Sequence, residues 1–216
     1  MRVAIAGGHG QIALRLTRLL HARGDEVLSL IRNPAHADDV EAAGGRAVVC
    51  DLEAAGVDEV AAAIAGADAV VFAAGAGPGS GSARKLTMDH GGAARLREAC
   101  GPAGVQRYVM VSAIRADPDA PGDDTFSVYL RAKGRADAEL MASDLAWTVV
   151  RPGRLTDEPG TGRVQVAGRL EHAEIARDDV AAVLAAVLAR PRTAGRAFDV
   201  VAGDEPIERA VDALAG

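Results

Sequence analysis

The first twenty residues hold a short apolar run, three glycines and an amphipathic segment: Met1-Arg-Val-Ala-Ile-Ala-Gly7-Gly-His-Gly10-Gln-Ile-Ala13-Leu-Arg-Leu-Thr-Arg-Leu-Leu20. Val3, Ile5 and the alanines beside them make the continuous run that a strand buried on both faces shows. Gly7, Gly8 and Gly10 break that run. From Ile12 the apolar residues recur at Leu16, Leu19 and Leu20, which is one face of a helix. Strand, glycine turn and helix in this order form a phosphate-binding device. Glycine lets the backbone turn tightly and approach a pyrophosphate, and the helix start offers free N–H groups with a partial positive charge. The spacing Gly7-x-x-Gly10-x-x-Ala13 puts a small side chain where helix and strand pack closely. A tight strand-to-helix connection that binds nothing would use the same glycines, so the motif needs support from the rest of the chain.

That support comes first from periodicity. Residues 26–31 read as a second strand stopped by Asn33-Pro34, residues 35–43 as a short helix, and residues 46–50 as a third strand. An Ala-rich helix over 57–65 leads to a fourth strand at 69–72 and a glycine loop over 73–81. A helix over 85–99, a strand at 106–112, a loop at 116–124 and a long helix over 125–142 follow. Residues 145–150 form strand six, closed by Arg151-Pro152-Gly153. Beyond it the pattern predicts a strand at 162–166, a helix at 178–189, a strand at 197–201 and a short terminal helix. Asp178 and Asp179 read as the cap and first-turn acid of their helix. Strands alternating with helices at this spacing mean βαβ units. The expected fold is therefore α/β: one Rossmann-type, doubly wound parallel sheet with helices on both faces, a single domain over 1–216 with a small substrate-side region within about 154–216.

Composition narrows the function classes. At 216 residues, 49% of them apolar and Ala-rich, the chain can bury one substantial α/β core. A net charge of −6 with no basic face argues against a nucleic-acid partner. No apolar run reaches membrane-spanning length and no signal-type start is seen, which predicts no membrane partner and a cytoplasmic protein. Cys50 and Cys100 are far apart and lack metal-ligand spacing, as do His90 and His172; reduced packing cysteines and no metal are expected.

In a sheet of this kind the ligand lies across the carboxyl ends of the strands. Strand two ends in Arg32-Asn33, with no acid in the slot that would bind a ribose 2′-hydroxyl. A guanidinium matches a 2′-phosphate, so Arg32 favours NADP (NADPH) over NAD, although a solvated arginine after a strand is the plain alternative. Asp51-Leu52 after strand three would lie beside an adenine. Ala73-Ala74-Gly75 after strand four would let a cofactor pass close to the backbone. Tyr129 and Lys133 are four apart on a helix and share a face. An ammonium one turn away predicts a phenol pKa lowered toward working pH, making Tyr129 a usable acid or base.

Taken together, Gly7-Gly8-His9-Gly10-Gln11-Ile12-Ala13, Arg32-Asn33-Pro34, Asp51-Leu52, Ala73-Ala74-Gly75, Tyr129-Leu-Arg-Ala-Lys133 and Arg151-Pro152-Gly153-Arg154 resemble the atypical short-chain dehydrogenase/reductase superfamily. Within it the chain is similar to compact NAD(P)H-binding proteins related to biliverdin/flavin reductase, to NmrA-like proteins, and to proteins labelled sugar epimerases. The resemblance spans essentially the whole chain and lies in the order of the motifs. It implies that Tyr129 exchanges a proton with the substrate oxygen while hydride moves to or from nicotinamide, and that Lys133 also holds the nicotinamide ribose. Ser112 would orient a substrate carbonyl, although in another register the serine's place falls on Ile114, which cannot hydrogen-bond. Pro152, Gly153 and Arg154 would wall the nicotinamide side, with Arg154 facing either a substrate anion or solvent. The expected function is an NADP-dependent reductase or dehydrogenase acting on a small carbonyl, quinone or flavin-like molecule, as monomer or homodimer. The alternatives are a non-catalytic NADP(H) sensor of NmrA-like type and a nucleotide-sugar epimerase.

Overall fold

The computed structural model describes residues 1–77 and 79–215; Pro78 of the glycine loop and Gly216 lie outside the described residues. The strands are β1 (Arg2–Ala6), β2 (Glu26–Ile31), β3 (Arg46–Val49), β4 (Ala69–Phe72), β5 (Arg107–Val111) and β6 (Ala146–Pro152), then β7 (Arg154–Thr156), β8 (Arg163–Ala167), β9 (Glu174–Ala176), β10 (Arg196–Ala202) and β11 (Glu205–Pro206). The helices are α1 (Gln11–Ala22), α2 (Ala37–Ala42), α3 (Val57–Ala63), α4 (Ser82–Arg84), α5 (Ala93–Ala103), α6 (Thr125–Met141), α7 (Arg177–Leu188) and α8 (Ile207–Ala215). Nine strands form one sheet in the order β11-β8-β10-β6-β5-β4-β1-β2-β3, and the run from β3 to β10 is parallel throughout.

Strand alternation explains why both faces are covered. On β1, Val3 and Ile5 pack with Leu16 and Leu20 of α1, Val180 and Leu184 of α7, and Val211 of α8. Ala4 and Ala6 point the other way, into a layer with Val60 of α3, Leu96 of α5 and Leu140 of α6. Because each central strand is buried on both sides, it needs apolar residues at successive positions. On α1 the buried positions are Ile12, Ala13, Leu16, Thr17 and Leu20; Leu19 falls at the edge of that stripe and is exposed.

Three local expectations are corrected. The sheet is mostly rather than wholly parallel: β8 runs antiparallel to both β10 and β11. Arg163 and Gln165 are exposed while Val164 is buried, the alternation of an antiparallel edge strand with one face to solvent. Next, the helix after β4 begins earlier and is not regular. α4, a π-helical stretch (Lys85–Gly92) and α5 follow one another, and the widened turns bury Met88, Asp89 and Gly92. Tyr108, fully buried on β5, donates its hydroxyl to Ala93 O at the π-to-α junction, 3.1 Å away. Finally, Ala176 rather than Asp178 occupies the cap position of α7. Asp178 pairs instead with Arg15 of α1 at 2.6 Å, and buried Asp179 accepts from the backbone N–H groups of Thr161 and Gly162 at 2.9 and 2.8 Å. The pair β7–β9 forms a separate two-stranded parallel sheet too short to show in the sequence pattern.

Cys50 and Cys100 are free and buried. Burial pushes the Cys100 thiol up to about 12, and raises Cys50 as well. Since the thiolate is the reactive form, the folded protein should resist a thiol reagent at pH 8, whereas both cysteines should react in denaturant. Rapid labelling of the native chain would contradict this packing.

Candidate functional site

The chain passes from β1 to β2 and β3 on one side and then returns to β4 on the other, so the carboxyl ends of β1 and β4 open a crevice between them. Gly7 carries φ of 76°, and a Cβ there would come within 2.6 Å of Ala74 Cα. The turn closes through Gly10 N–H donating to Gly7 O at 2.8 Å. Gly10 caps α1 without a side chain, and the first turn has no acidic residue. The helix start therefore presents its leading N–H groups with no side-chain acceptor, an arrangement that fits a phosphate.

A cavity of about 600 Å³ opens beside the start of α1, where Ile12 lines it. It collects Ile12 from α1, Ala73, Ala74 and Gly75 after β4, Ser112 after β5, Tyr129 and Lys133 from α6, and Pro152, Gly153 and Arg154 from the junction of β6 and β7. Ile114, the alternative register for the serine, also lines it, so Ser112 supplies the hydroxyl there. Gly7, Gly8, His9, Gly10, Gln11, Arg32, Asn33, Asp51 and Leu52 do not line this cavity. His9 binds Asp39 at 2.7 Å and stacks on His36, ring centres 3.7 Å apart. Asn33 caps the 3₁₀ turn Pro34–His36 by accepting from Ala35 N–H. Asp51 accepts from Glu53 N–H at 3.0 Å, and Leu52 is buried. Arg32 is exposed, its guanidinium 3.6 Å from Glu53, a carboxylate it shares with Arg84 and Thr87.

The electrostatics around Tyr129 reverse the sequence expectation. Lys133 is 4% exposed; its Nζ donates to Val111 O at 3.1 Å and sits 3.4 Å from Asp89 Oδ1. Asp89, equally buried on the π-helical stretch, accepts from Ala76 N–H at 3.2 Å. Burial raises the Tyr129 phenol above its ordinary value; Lys133 pulls it down, while Asp89 and Asp137 push it up again. The lysine is thus largely neutralised by a carboxylate forty-four residues earlier, and the phenol holds its proton. Burial also raises Asp137, against the opposing pull of Arg151, whose Nε lies 2.9 Å from Oδ2. The other Asp137 oxygen and the Ser112 hydroxyl, both buried, make no hydrogen bond of normal geometry among the described residues, although the hydroxyl is near enough to help lower Asp137.

Gly134, directly after Lys133, fits because α6 meets the backbone of the 116–124 loop there. A Cβ would lie 2.3 Å from Asp117 C and Pro118 N. Arg154 pairs with exposed Glu174 rather than facing solvent alone.

Sequence reasoning missed Asp89, Lys85, Phe126, His172 and Arg177, which also line the cavity. Asp89 gave no readable signal: Lys85–Gly92 mixes Lys, Thr, His and Gly with Leu86 and Met88, and no spacing links Asp89 to Lys133. Among the described residues there is no group of three metal-type ligands and no helix long and apolar enough to cross a membrane.

A family model described as NAD(P)H-binding matches residues 7–191. A Bacillus subtilis (strain 168) protein named an uncharacterised sugar epimerase is 41% identical over 215 residues, spanning 99% of this chain and 100% of the relative. Among solved structures, a Bacillus halodurans protein described as a candidate NAD-dependent epimerase/dehydratase superposes with a TM-score of 0.91 at 37% identity, covering 99% of both chains. An oxidoreductase from Lactococcus lactis superposes with a TM-score of 0.87 at 25% identity, over 99% of this chain and 96% of its own.

Proposed function

Because the chain belongs to the NAD(P)H-binding family, we propose that it is an NADPH-dependent reductase of a small carbonyl, quinone or flavin-like acceptor. The observation that carries the reading is the convergence of Ser112, Tyr129 and Lys133 in one cavity beside the glycine turn. The turn from Gly7 to Gly10 and the start of α1, with Gln11 and Ile12, would hold the pyrophosphate. Arg32, Asn33, Asp51 and Leu52 would flank the adenosine half, with His9 at the edge of the turn. Ala73, Ala74 and Gly75 leave the backbone open, and Pro152, Gly153 and Arg154 would wall the nicotinamide end. When bound, the nicotinamide would supply a hydride. Tyr129 donates the proton that completes reduction of a carbonyl oxygen, Ser112 hydrogen-bonds that oxygen, and Lys133 holds the ribose hydroxyls.

The raised phenol pKa supports reduction over epimerisation, the competing reading that the Bacillus subtilis relative's name invites. Epimerisation begins with oxidation, for which Tyr129 must first act as a base. A phenol that keeps its proton is poor at that step and ready as a donor. The test is an NADPH-oxidation screen across aldehydes, ketones, quinones and flavins; turnover with none of them, together with tight NADPH binding, would favour a sensor.

Arg32 supports NADPH over NADH. Arg32 and Arg84 share the single carboxylate of Glu53, leaving one positive charge in excess for a 2′-phosphate. Burial raises Glu53, but the Thr87 and Arg84 hydrogen bonds and the Arg32 charge bring it below the usual carboxylate range, so it stays ionised at neutral pH. Arg32→Ala should weaken NADPH binding about tenfold and leave NADH unchanged, roughly the loss of one charge-assisted contact. Equal affinities for the two nucleotides in the unmodified protein would remove Arg32 from the argument.

A further inference from the structure

The cavity beside Tyr129 does not end at Tyr129. Lys85, Phe126 and Tyr129 also line a second cavity of about 560 Å³, bounded by residues 79–81 and by Thr125. These three side chains therefore sit on the boundary between two adjoining spaces. We propose that this boundary is an acceptor subsite for a planar aromatic molecule carrying an anionic group, the ring resting on Phe126 and the anion on Lys85. The inference rests on the reductase reading and specifies which acceptors that same site takes.

Phe126 is 57% exposed although it starts a helix in a chain with only three phenylalanines. Its ring stands 6.1 Å from that of Tyr129 and tilted by 30°, so an apolar face is available beside the proton donor. An exposed aromatic at a cavity mouth is costly to leave in water and is a common stacking platform for a flat ligand. Lys85 Nζ lies 5.3 Å from the centre of the Tyr129 ring and donates to Gly77 O at 2.9 Å, which fixes the ammonium over the cavity. No carboxylate lies within ion-pair distance of Lys85 among the described residues. Across the first cavity, His172 is exposed and likewise has no carboxylate partner among the described residues.

The other charges of the wall are accounted for. Lys133 and Asp89 face each other, Arg154 meets Glu174, and Arg177 meets Asp157 at 2.9 Å. Among the lining side chains the uncompensated charge is therefore the Lys85 ammonium, in a protein whose net charge is −6. A local cation in an acidic molecule focuses the field on that spot and favours an anion there. Apolar Ile114, Leu130 and Leu155 line the space behind it, which suits a ring system rather than a polyhydroxylated sugar.

The test compares naphthalene-2-sulfonate with uncharged naphthalene-2-sulfonamide by equilibrium dialysis, with and without saturating NADP⁺. These probes share a ring and differ in charge, and neither gives or takes a hydride, so binding is read independently of turnover. The sulfonate should bind at least tenfold more tightly, and raising salt from 50 to 500 mM should shrink the preference, since the pair is partly solvent-screened. Lys85→Gln should bring the two affinities within about twofold, while Lys85→Arg should keep most of the difference. Phe126→Ala should weaken both probes by a similar factor. Equal affinities in the unmodified protein, or a preference that survives Lys85→Gln, would overturn the subsite. Failure of NADP⁺ to bind would instead overturn the reductase reading, and the probe comparison without nucleotide would still be decisive for Lys85.

Discussion

Tyr129→Phe is expected to lower kcat for carbonyl reduction by about 10²–10⁴-fold, the usual worth of a positioned proton donor, while the NADPH dissociation constant stays within about twofold. The substitution removes one hydroxyl from a half-buried ring and leaves its packing beside Phe126 intact. Because burial holds the phenol above its ordinary value, the donor form persists through neutral pH and beyond. The reduction rate should therefore be flat across pH 6–9 and fall only at strongly alkaline pH. In the reverse, oxidative direction the same enzyme should speed up with rising pH, because there the phenolate is the competent form. Stopped-flow measurement of hydride transfer at several pH values checks both limbs. A Tyr129→Phe protein with unaltered turnover on carbonyls would remove the residue from the mechanism.

Lys133→Met should cost about 3–5 kcal/mol of stability, because it leaves Asp89 as an uncompensated charge in a dry site. Lys133 and Asp89 are 5% and 1% exposed at the side chain, and Asp89 Oδ1 has no other partner among the described residues, so water offers little relief. For a chain of this length that loss corresponds to a fall in Tm of roughly 6–20 °C. Adding Asp89→Asn should return most of it, since the amide oxygen can still accept from Ala76 N–H without carrying charge. Activity should not return with stability, because the proposed contact of Lys133 with the ribose would still be missing. Thermal melts of the single and double variants measure this directly; a double variant as unstable as the single would show that the pair is not what holds these segments together.

The same pair shows where sequence reading stops. Tyr129 and Lys133 were legible because a helix repeats every 3.6 residues, so two residues four apart must share a face. Asp89 was not legible, because its position depends on how a π-helical stretch after β4 packs on α6. A pKa expectation built from Lys133 alone consequently had the wrong direction. The sequence does not choose between substrate and solvent for Arg154 for a similar reason: its partner Glu174 reaches it through the small β7–β9 sheet, whose three-residue strands carry no readable period. Lys85 and Phe126 gave no motif at all, and only their meeting over Tyr129 makes them notable.

By itself the sequence determined the doubly wound architecture, since runs such as Ala69-Val-Val-Phe72 between amphipathic helices can be buried only inside a parallel sheet covered on both faces. It also determined the glycine turn, because three glycines between an apolar run and an amphipathic helix mark a tight connection, in which the structure holds Gly7 left-handed against Ala74. Tertiary structure alone decided the charge state of the site and the shape of its mouth. Both depend on groups distant in sequence and close in space, and Coulomb and desolvation energies follow distance and burial rather than chain order.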